Sequence, residues 1–415
     1  MIDPANNLDG RLDLYIAAGK VVGIGAAPSG FQANRVIDAS GKVVCPGLVD
    51  LSARLREPGY EYKATLESEM AAAVAGGVTS LACPPDTDPP LDEPGLVEML
   101  KHRAKSLNQS HVFPVGALTA GLAGKALTEM AELRDAGCVA FSQADAAITD
   151  TQVLMRALEY AATFGLPVWL RPQDAFLAQG GVAHDGDVAT RLGLPAIPSC
   201  AETIALATIV QLVRQTGART HLCRLSSAQG VALVRAAKQE GLPISCDVAI
   251  HHLHLCDRDI GYFDSNCNLT PPLRGLRDRE ALRQGVADGS VDAVCSDHTP
   301  VDEDAKQVPF GEAETGATGL ELLLPLTLKW GREMDLTLLQ TIAAITRKPA
   351  QILGVGGGDL SLGQVADVCV FDPDAAWVVE AKALKSQGKN TPFLGYELYG
   401  KVGYTLVTGH LVFEA

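Results

Sequence analysis

Short apolar runs alternate with helix-like segments through the middle of the chain. Leu66, Met70 and Val74 recur every four residues, which is the spacing of a helix with one buried face. Predicted strands lie at residues 48–55, 78–84, 111–116, 138–144, 167–171, 220–226, 243–249 and 291–297. Predicted helices between them include residues 150–164, 201–216, 230–240 and 278–287. Eight strands alternating with helices predict an α/β fold of the (β/α)8 TIM-barrel type.

The two ends of the chain have a different pattern. Short strands separated by turns are predicted at residues 14–16 and 20–24, before the barrel segment. After a predicted helix at 342–353, further short strands follow at residues 368–371, 377–379, 404–406 and 411–413. The glycine-rich residues 354–358 lack the Lys-Ser/Thr pair of a phosphate loop. We therefore predict a hinge there, leading into a terminal β region.

Charge and composition narrow the possible partners and location. The net charge of −15 disfavours a nucleic-acid partner. No apolar run reaches the roughly 18 residues of a membrane span, and residues 1–4 do not begin a signal peptide. The ten cysteines include no Cys-x-x-Cys pair, and several lie in strand-like apolar runs. We expect a cytoplasmic protein with buried free thiols, a disulfide framework being the alternative.

Ordered motifs give the chain a resemblance to the dihydroorotase family of the amidohydrolase superfamily. They are Pro46-Gly47-Leu48-Val49-Asp50, Leu55-Arg56-Glu57-Pro58-Gly59, Gly76-Gly77-Val78-Thr79, Cys83-Pro84-Pro85-Asp86-Thr87, His251-His252-Leu253, Pro271-Pro272-Leu273-Arg274, Asp297-His298-Thr299-Pro300, Gly319-Leu320-Glu321 and Asn390-Thr391-Pro392-Phe393. They span essentially the whole chain. The resemblance implies a small β-sandwich made from both ends beside the barrel. The expected divisions are residues 1–46, 47–355 and 356–415. It also implies one more strand before residue 2; either that strand has been lost or the true start of the protein lies upstream.

The metal-ligand positions of that family are changed in this chain. Ser52 and Arg54 stand where the resemblance implies two histidines, and Gln143 lies in the segment that normally carries an acidic ligand. Arg171 and Arg224 stand where two further histidines are implied, while Asp297 is retained. Serine is a poor zinc ligand, and arginine has no free lone pair to offer. We therefore predict no metal, no cofactor and no catalytic residues, the six positions forming a vestigial site.

The positions that would contact substrate are also altered. The resemblance implies that Arg56 pairs with a substrate carboxylate, and this residue is kept. Asp86 stands where an asparagine is implied, and Asn268 lies two residues before the position of a second. These three are candidate vestigial substrate residues, although Arg56 could instead pair with Glu57 or Asp297. His251 and His252 are predicted to be structural, a new metal pair being the alternative.

Two functions from different classes fit this pattern. The first is a non-catalytic, dihydroorotase-like subunit. The sequence is similar to the dihydroorotase-like chains that accompany the catalytic chain of aspartate carbamoyltransferase in some bacteria. That resemblance implies a role in pyrimidine biosynthesis as an assembly subunit, in a dodecamer with six copies of each chain. The second is an active zinc-dependent cyclic-amide hydrolase, a dihydroorotase or hydantoinase, with atypical ligands.

The three arginines at the former ligand positions lead to a prediction about charge pairing at the barrel mouth. Arg54, Arg171 and Arg224 should converge, because active-site groups of a barrel lie at the carboxyl ends of its strands. At least one guanidinium should pair with Asp297, which needs a cationic neighbour if it is buried. With Arg56 the group would carry an excess of positive charge, enough to hold a small anion. The alternative is that the arginines turn outward to solvent.

Overall fold

A computed structural model describes residues 1–415 and has an eight-stranded parallel sheet at its centre. Its strands are Leu48–Asp50, Val78–Cys83, His111–Ala117, Ala140–Ser142, Val168–Leu170, Thr220–Leu222, Ile244–Ala249 and Ala293–Cys295, here numbered one to eight. Each strand pairs with the next in sequence order. The predicted TIM barrel is confirmed.

The barrel closes at its carboxyl end rather than along the whole first and last strands. The amide of Arg54 donates to the carbonyl of His298 at 2.9 Å, and the amide of His298 donates to the carbonyl of Ser52 at 3.0 Å. The first strand was predicted to reach residue 55, but its ladder ends at Asp50. Residues 51–55 leave the regular ladder because they cross to the end of strand eight. This crossing places Ser52, Arg54 and Asp297 at the barrel mouth.

Helices surround the barrel and bury one face against it. The helices are Leu66–Ala75, Pro94–Leu107, Met130–Ala136, Thr151–Phe164, Ala175–Ala178, Asp187–Leu192, Cys200–Thr216, Ala228–Gln239, Leu276–Asp288, Leu323–Glu333, Leu338–Ala343 and Arg347–Leu353. Leu66, Met70 and Val74 are all buried, as their spacing predicts. The largest apolar cluster contains 73 buried residues, so the helices and the sheet share one continuous core.

Both ends of the chain build a small β domain beside the barrel. Val43–Pro46 joins Val368–Val378, Glu397–Val407 and His410–Glu414 in one antiparallel sheet. Smaller antiparallel pairs are formed by Leu14–Ala17 with Lys20–Ile24, and by Ile2–Asp3 with Leu8–Asp9. Val21 from the first part packs with Leu360, Val368 and Leu406 from the last part. The expected sheet domain is therefore present, because neither end alone has enough apolar surface to form a core.

A buried polar contact holds the end of strand eight in place. His298, which follows Asp297, places Nε2 2.5 Å from Oε2 of the buried Glu69. Its Nδ1 accepts from the amide of Gly319 at 3.1 Å, so Nε2 carries the proton that is donated to Glu69. Glu69 also accepts a hydrogen bond from Ser386, which lies between the terminal-sheet strands Val368–Val378 and Glu397–Val407. The barrel mouth is thus tied to the β domain.

Two further features of the fold concern thiols and helix length. All ten cysteines are free thiols, and Cys83, Cys138, Cys246, Cys295 and Cys369 are buried as predicted. A disulfide framework is absent from the structure. None of the helices combines the length and the apolar character that crossing a membrane would require.

Candidate functional site: a salt-bridge cluster at the barrel mouth

Arg54 is the centre of the polar contacts at the mouth. Its side chain is almost fully buried, and its guanidinium uses all three nitrogens. Nε donates to Asp86 at 2.7 Å, and Nη2 donates to Asp145 at 2.7 Å. Nη1 lies 3.3 Å from Oδ1 of Asp297 and 3.0 Å from Oγ1 of Thr299. The residue that replaces a histidine therefore bonds to three carboxylates.

Asp145 contacts all three arginines that stand where the resemblance implies histidines, namely Arg54, Arg171 and Arg224. Its Oδ1 lies 2.6 Å from Nε of Arg171 and 2.5 Å from Nη2 of Arg224. Its Oδ2 accepts from Arg54, and its backbone carbonyl accepts from Nη2 of Arg171 at 3.0 Å. Asp145 was not among the predicted site residues. It lies in the irregular segment after strand four, three residues beyond Ser142, where no periodic pattern shows which way a side chain points.

The predicted pairing with Asp297 is confirmed. Nη1 of Arg224 donates to Oδ1 of Asp297 at 2.9 Å, and Nη1 of Arg54 lies 3.3 Å from the same oxygen. The hydroxyl of Ser52 donates to it at 3.4 Å. Arg171 does not join this pair and bonds to Asp145 and Gln173 instead. The alternative, in which the arginines turn outward, is wrong because all three side chains are nearly inaccessible.

The three arginines at the former ligand positions do not by themselves produce the expected excess of positive charge. The three guanidiniums are matched by the three carboxylates of Asp86, Asp145 and Asp297. Burying a charge is costly unless it is paired, so a neutral cluster is the arrangement that burial favours. Arg56 lies outside this balance: its Nε donates to the neutral carbonyl of Pro300, and its Nη2 lies 3.9 Å from Glu314, a carboxylate that Lys63 also contacts. Within the cluster, no guanidinium of Arg54, Arg171 or Arg224 is left unpaired for a small anion.

Burial and the neighbouring arginines have opposite effects on the pKa values of the two central carboxyl groups, Asp145 and Asp297. Burial alone would raise the pKa of Asp145, but the guanidiniums of Arg224, Arg171 and Arg54 outweigh burial and hold this pKa below its usual range. Burial raises the pKa of Asp297, and the nearby Arg224 and Arg54 reduce that rise without cancelling it. Asp145 is therefore the firmly ionised member of the cluster.

The backbone is unusual at the same strand ends. Arg56, Ala144, Arg224 and Asp297 all have positive φ, between 46° and 63°. Residues with a β-carbon seldom adopt this conformation. Such strain persists only where the surrounding contacts hold it, and it is common at binding and catalytic sites. The mouth thus keeps the backbone of a functional site while its side chains bond to one another.

Of the other predicted site residues, Asp86 belongs to the cluster, whereas Gln143, Arg56 and Asn268 lie outside it. Gln143 is buried, and its Oε1 accepts from the hydroxyl of Thr119. Asn268 donates from Nδ2 to the carbonyls of Phe310 and Ala313 at 2.9 Å each, so it holds a loop together. Of the candidate substrate residues, Asp86 is bonded to Arg54, and Arg56 pairs with neither Glu57 nor Asp297.

The donor chemistry at the mouth does not fit a catalytic zinc ion. A zinc site that activates water needs three neutral or anionic protein donors and an open position. Here the former ligand positions hold a hydroxyl and three guanidiniums, and nowhere in the chain do three His, Cys, Asp or Glu side chains come together as a metal site. Nε2 of His251 and of His252 instead lie near the backbone carbonyls of Thr318 and Pro271. Burial lowers their pKa values to about 3 and about 4.

Acid should weaken the cluster through Asp145. A carboxyl whose pKa is lowered on folding stabilises the folded protein fully above its unfolded pKa, and this stabilisation is lost as the pH falls. We expect Asp145→Asn to be less stable than the native chain near neutral pH. The difference should shrink below about pH 4, where the unfolded carboxyl begins to bind a proton. Urea denaturation of both proteins at several pH values measures it. A pH-independent difference would contradict the ionised state of Asp145.

Comparison with known proteins shows the class of protein to which this fold belongs. The barrel with its terminal β domain is that of the amidohydrolases: a family model described as "Amidohydrolase family" matches residues 183–413. The chain also aligns with the L-hydantoinase (dihydropyrimidinase) structure from Arthrobacter aurescens with a TM-score of 0.89 and 25% identity. That alignment covers 100% of this chain and 94% of the hydantoinase.

Sequence relatives narrow the class to one family. A model described as "Dihydro-orotase-like" matches residues 41–230. A "Dihydroorotase-like protein" of Pseudomonas aeruginosa is 48% identical over 100% of this chain and 98% of its own length. A "Dihydroorotase" of Geobacter sp. (strain M21) is 42% identical over 100% of this chain and 98% of its own length. The chain belongs to the dihydroorotase-like amidohydrolase family.

Proposed function

We propose that this chain is a non-catalytic, dihydroorotase-like subunit that supports assembly of an aspartate carbamoyltransferase complex in pyrimidine biosynthesis. The barrel would serve as a scaffold for the catalytic chain of the transferase. The expected product is a mixed hetero-oligomer, a dodecamer with six copies of each chain. Neither a metal nor another cofactor takes part in this role.

The observation that carries the non-catalytic part is the salt-bridge cluster. Arg54, Arg171 and Arg224 occupy three former ligand positions, and their guanidiniums are bonded to Asp86, Asp145 and Asp297. Arginine stays protonated in proteins and has no lone pair for a metal. Hydrolysis of a cyclic amide by this fold needs an activated water. The cluster fills the volume where that water would be held.

The assembly role is supported by resemblance alone. The loss of the ligand histidines from an otherwise dihydroorotase-like sequence is similar to that of the non-catalytic chains that accompany the transferase. The relatives from Pseudomonas aeruginosa and Pseudomonas putida, each named "Dihydroorotase-like protein", support the dihydroorotase-like part of the proposal. An assembly subunit requires a stable fold and a docking surface, and neither requires a catalytic site.

The alternative is an active cyclic-amide hydrolase with atypical ligands. It is favoured by relatives named "Dihydroorotase" at about 40% identity, including that of Geotalea daltonii, and by the hydantoinase-like backbone. It requires that some set of donors other than the family's histidines hold a zinc ion. The arrangement of the mouth offers no such set, and for that reason we rank it second.

Metal analysis and turnover separate these two functions. We expect purified protein to contain far less than one zinc ion per chain and to show no dihydroorotase activity, even with added metal. Measurements should use elemental analysis and a dihydroorotate hydrolysis assay, with an active zinc dihydroorotase as the control. Stoichiometric metal together with turnover would overturn the non-catalytic function and leave the hydrolase.

Restoring two histidines should not restore activity. In Ser52→His/Arg54→His, Arg171 and Arg224 still occupy the other two former histidine positions, and Asp145 loses only one of its three cations. The same two assays test this variant. Recovery of hydrolysis by these two substitutions alone would show that the cluster is not the barrier to catalysis.

The assembly role is tested by co-expression with the transferase catalytic chain of the same organism. We expect the two chains to purify together, and mass measurement of the intact complex to give the mass of six copies of each. Separate elution of the two chains at micromolar concentration would remove the assembly role while leaving the absence of catalysis intact.

A further inference from the structure

An apolar groove lies directly beside the sealed barrel mouth. It has a volume of about 130 Å³ and runs between the segment after strand four and the helices Ala175–Ala178 and Cys200–Thr216. Most of its lining side chains are hydrophobic, including Ile148, Leu154 and Ile209. The groove lies on the surface of the barrel, and the proposed assembly role does not by itself assign a use to it.

Large apolar side chains stand exposed at the edge of this groove. Phe176 is 75% exposed and Ile204 is 48% exposed, and both line the groove. Leu177, next to Phe176, is also exposed. Scattered apolar side chains on a surface need no explanation, but a contiguous group around a concavity is typical of an interaction site.

One wall of the groove is held in place by the salt-bridge cluster. Residues 146–149 form this wall, and they follow Asp145 directly. Asp145 is bonded to three buried guanidiniums, and its backbone carbonyl accepts from Arg171. The segment contains no helix or strand of its own, so these bonds fix its position. A surface fixed before binding loses less entropy when a partner docks.

The volume and charge of the groove indicate which kind of side chain it could bind. An engineered cavity of about 150 Å³ can hold a benzene molecule, so this groove has room for one aromatic or branched aliphatic side chain. Asp174 lines the groove and Asp150 adjoins it; each accepts from backbone amides as the N-cap of a helix, and neither carboxylate has a cationic side chain as its partner. The single basic lining residue, Arg171, is buried and bonded within the cluster. The rim is therefore acidic.

We infer that this groove receives an apolar side chain from a protein segment that also carries lysine or arginine, supplied by the partner chain in the assembly. The inference rests on the proposed function, because that function supplies the partner. The apolar side chain fills the groove between Ile148 and Ile204, and the basic residues face Asp150 and Asp174. The salt-bridge cluster at the barrel mouth would then contribute to assembly, because it fixes the shape of the docking surface.

Surface variants test the docking directly. The double variant Phe176→Ala/Ile204→Ala should bind the transferase catalytic chain at least about tenfold more weakly than the native chain, as expected for central apolar contacts. Phe164→Ala is the matched control, because Phe164 is similarly exposed but lies outside the groove. Binding is measured by calorimetry or by sedimentation with the full-length chains. Circular dichroism melting checks that every variant folds.

A charge pair of variants tests the acidic rim. Ile204→Lys and Ile204→Glu obstruct the groove to a similar extent but with opposite charge. A basic partner segment predicts that Ile204→Lys weakens binding more than Ile204→Glu, with the gap narrowing as salt increases. Equal weakening by the two variants, or stronger weakening by Ile204→Glu, would overturn the basic character of the occupant.

The outcomes separate this inference from the proposed function. If the native chain binds the transferase and the double variant binds equally well, the groove is not the docking site and the assembly role stands. If the native chain does not bind the transferase at all, both are overturned. If the native chain instead forms a dimer with itself that the double variant abolishes, the occupant is a second copy and the inference is wrong.

Discussion

Replacing Arg224 by methionine is expected to lower the free energy of unfolding by about 3–5 kcal/mol, as for other broken buried ion pairs. The Arg224 side chain is only 5% exposed and bonds to Asp297 at 2.9 Å and to Asp145 at 2.5 Å. Its loss leaves three carboxylates, the buried Asp297 and the partly exposed Asp86 and Asp145, facing two guanidiniums. Urea denaturation followed by circular dichroism measures the change.

The double variant Arg224→Met/Asp297→Asn should be more stable than Arg224→Met alone. Removing one cation and one anion returns the cluster to charge balance, whereas either single change leaves one buried charge uncompensated. Arg235→Met is the matched control, because Arg235 pairs with Asp288 at the surface. An exposed pair of this kind contributes about 0–1 kcal/mol. If the double variant were no more stable than Arg224→Met, charge balance would not be what stabilises the mouth.

Omission of this chain is expected to leave the transferase catalytic chain poorly assembled or inactive. The reason is the proposed scaffold role, in which copies of this chain hold the transferase chains together. The measurement compares the transferase activity and the native mass in cells with and without the gene for this chain. A deletion strain with normal transferase assembly and activity would count against the role.

A folded variant of the salt-bridge cluster provides the control for this experiment. Asp297→Asn should retain transferase activity in the complex, provided that circular dichroism shows it to be folded, because the role depends on the surface and not on turnover. Loss of transferase activity in a fully folded and fully assembled Asp297→Asn complex would mean that the mouth does more than maintain the fold.

Much of the barrel could be predicted from the pattern of apolar residues. The eight observed strands all lie within or close to the predicted runs, because strands buried on both faces must be continuously apolar. The boundaries were less well predicted where hydrogen bonding across the barrel takes over. Residues 51–55 look like strand in sequence, but the backbone of Arg54 bonds to that of His298 instead of continuing the regular ladder.

The vestigial site could be predicted one residue at a time but not as a charge balance. Ligand chemistry alone shows that Ser52, Arg54, Arg171 and Arg224 are wrong for zinc. Pairing of an arginine with Asp297 follows from the cost of burying a lone charge. The neutralising role of Asp145 does not follow, since Ala144 has a left-handed backbone and the segment is irregular.

The pattern of apolar residues by itself predicted the barrel and the short terminal strands, because those depend on local patterns of polarity. The joining of both ends into one β domain and the positions where histidines are implied came from the resemblance to the dihydroorotase family. The tertiary structure decided that the arginines are neutralised, that Arg171 bonds to Asp145 rather than Asp297, and that a groove lies beside them. Electrostatic balance and surface shape depend on distances between residues far apart in the chain, and only the folded backbone sets those distances.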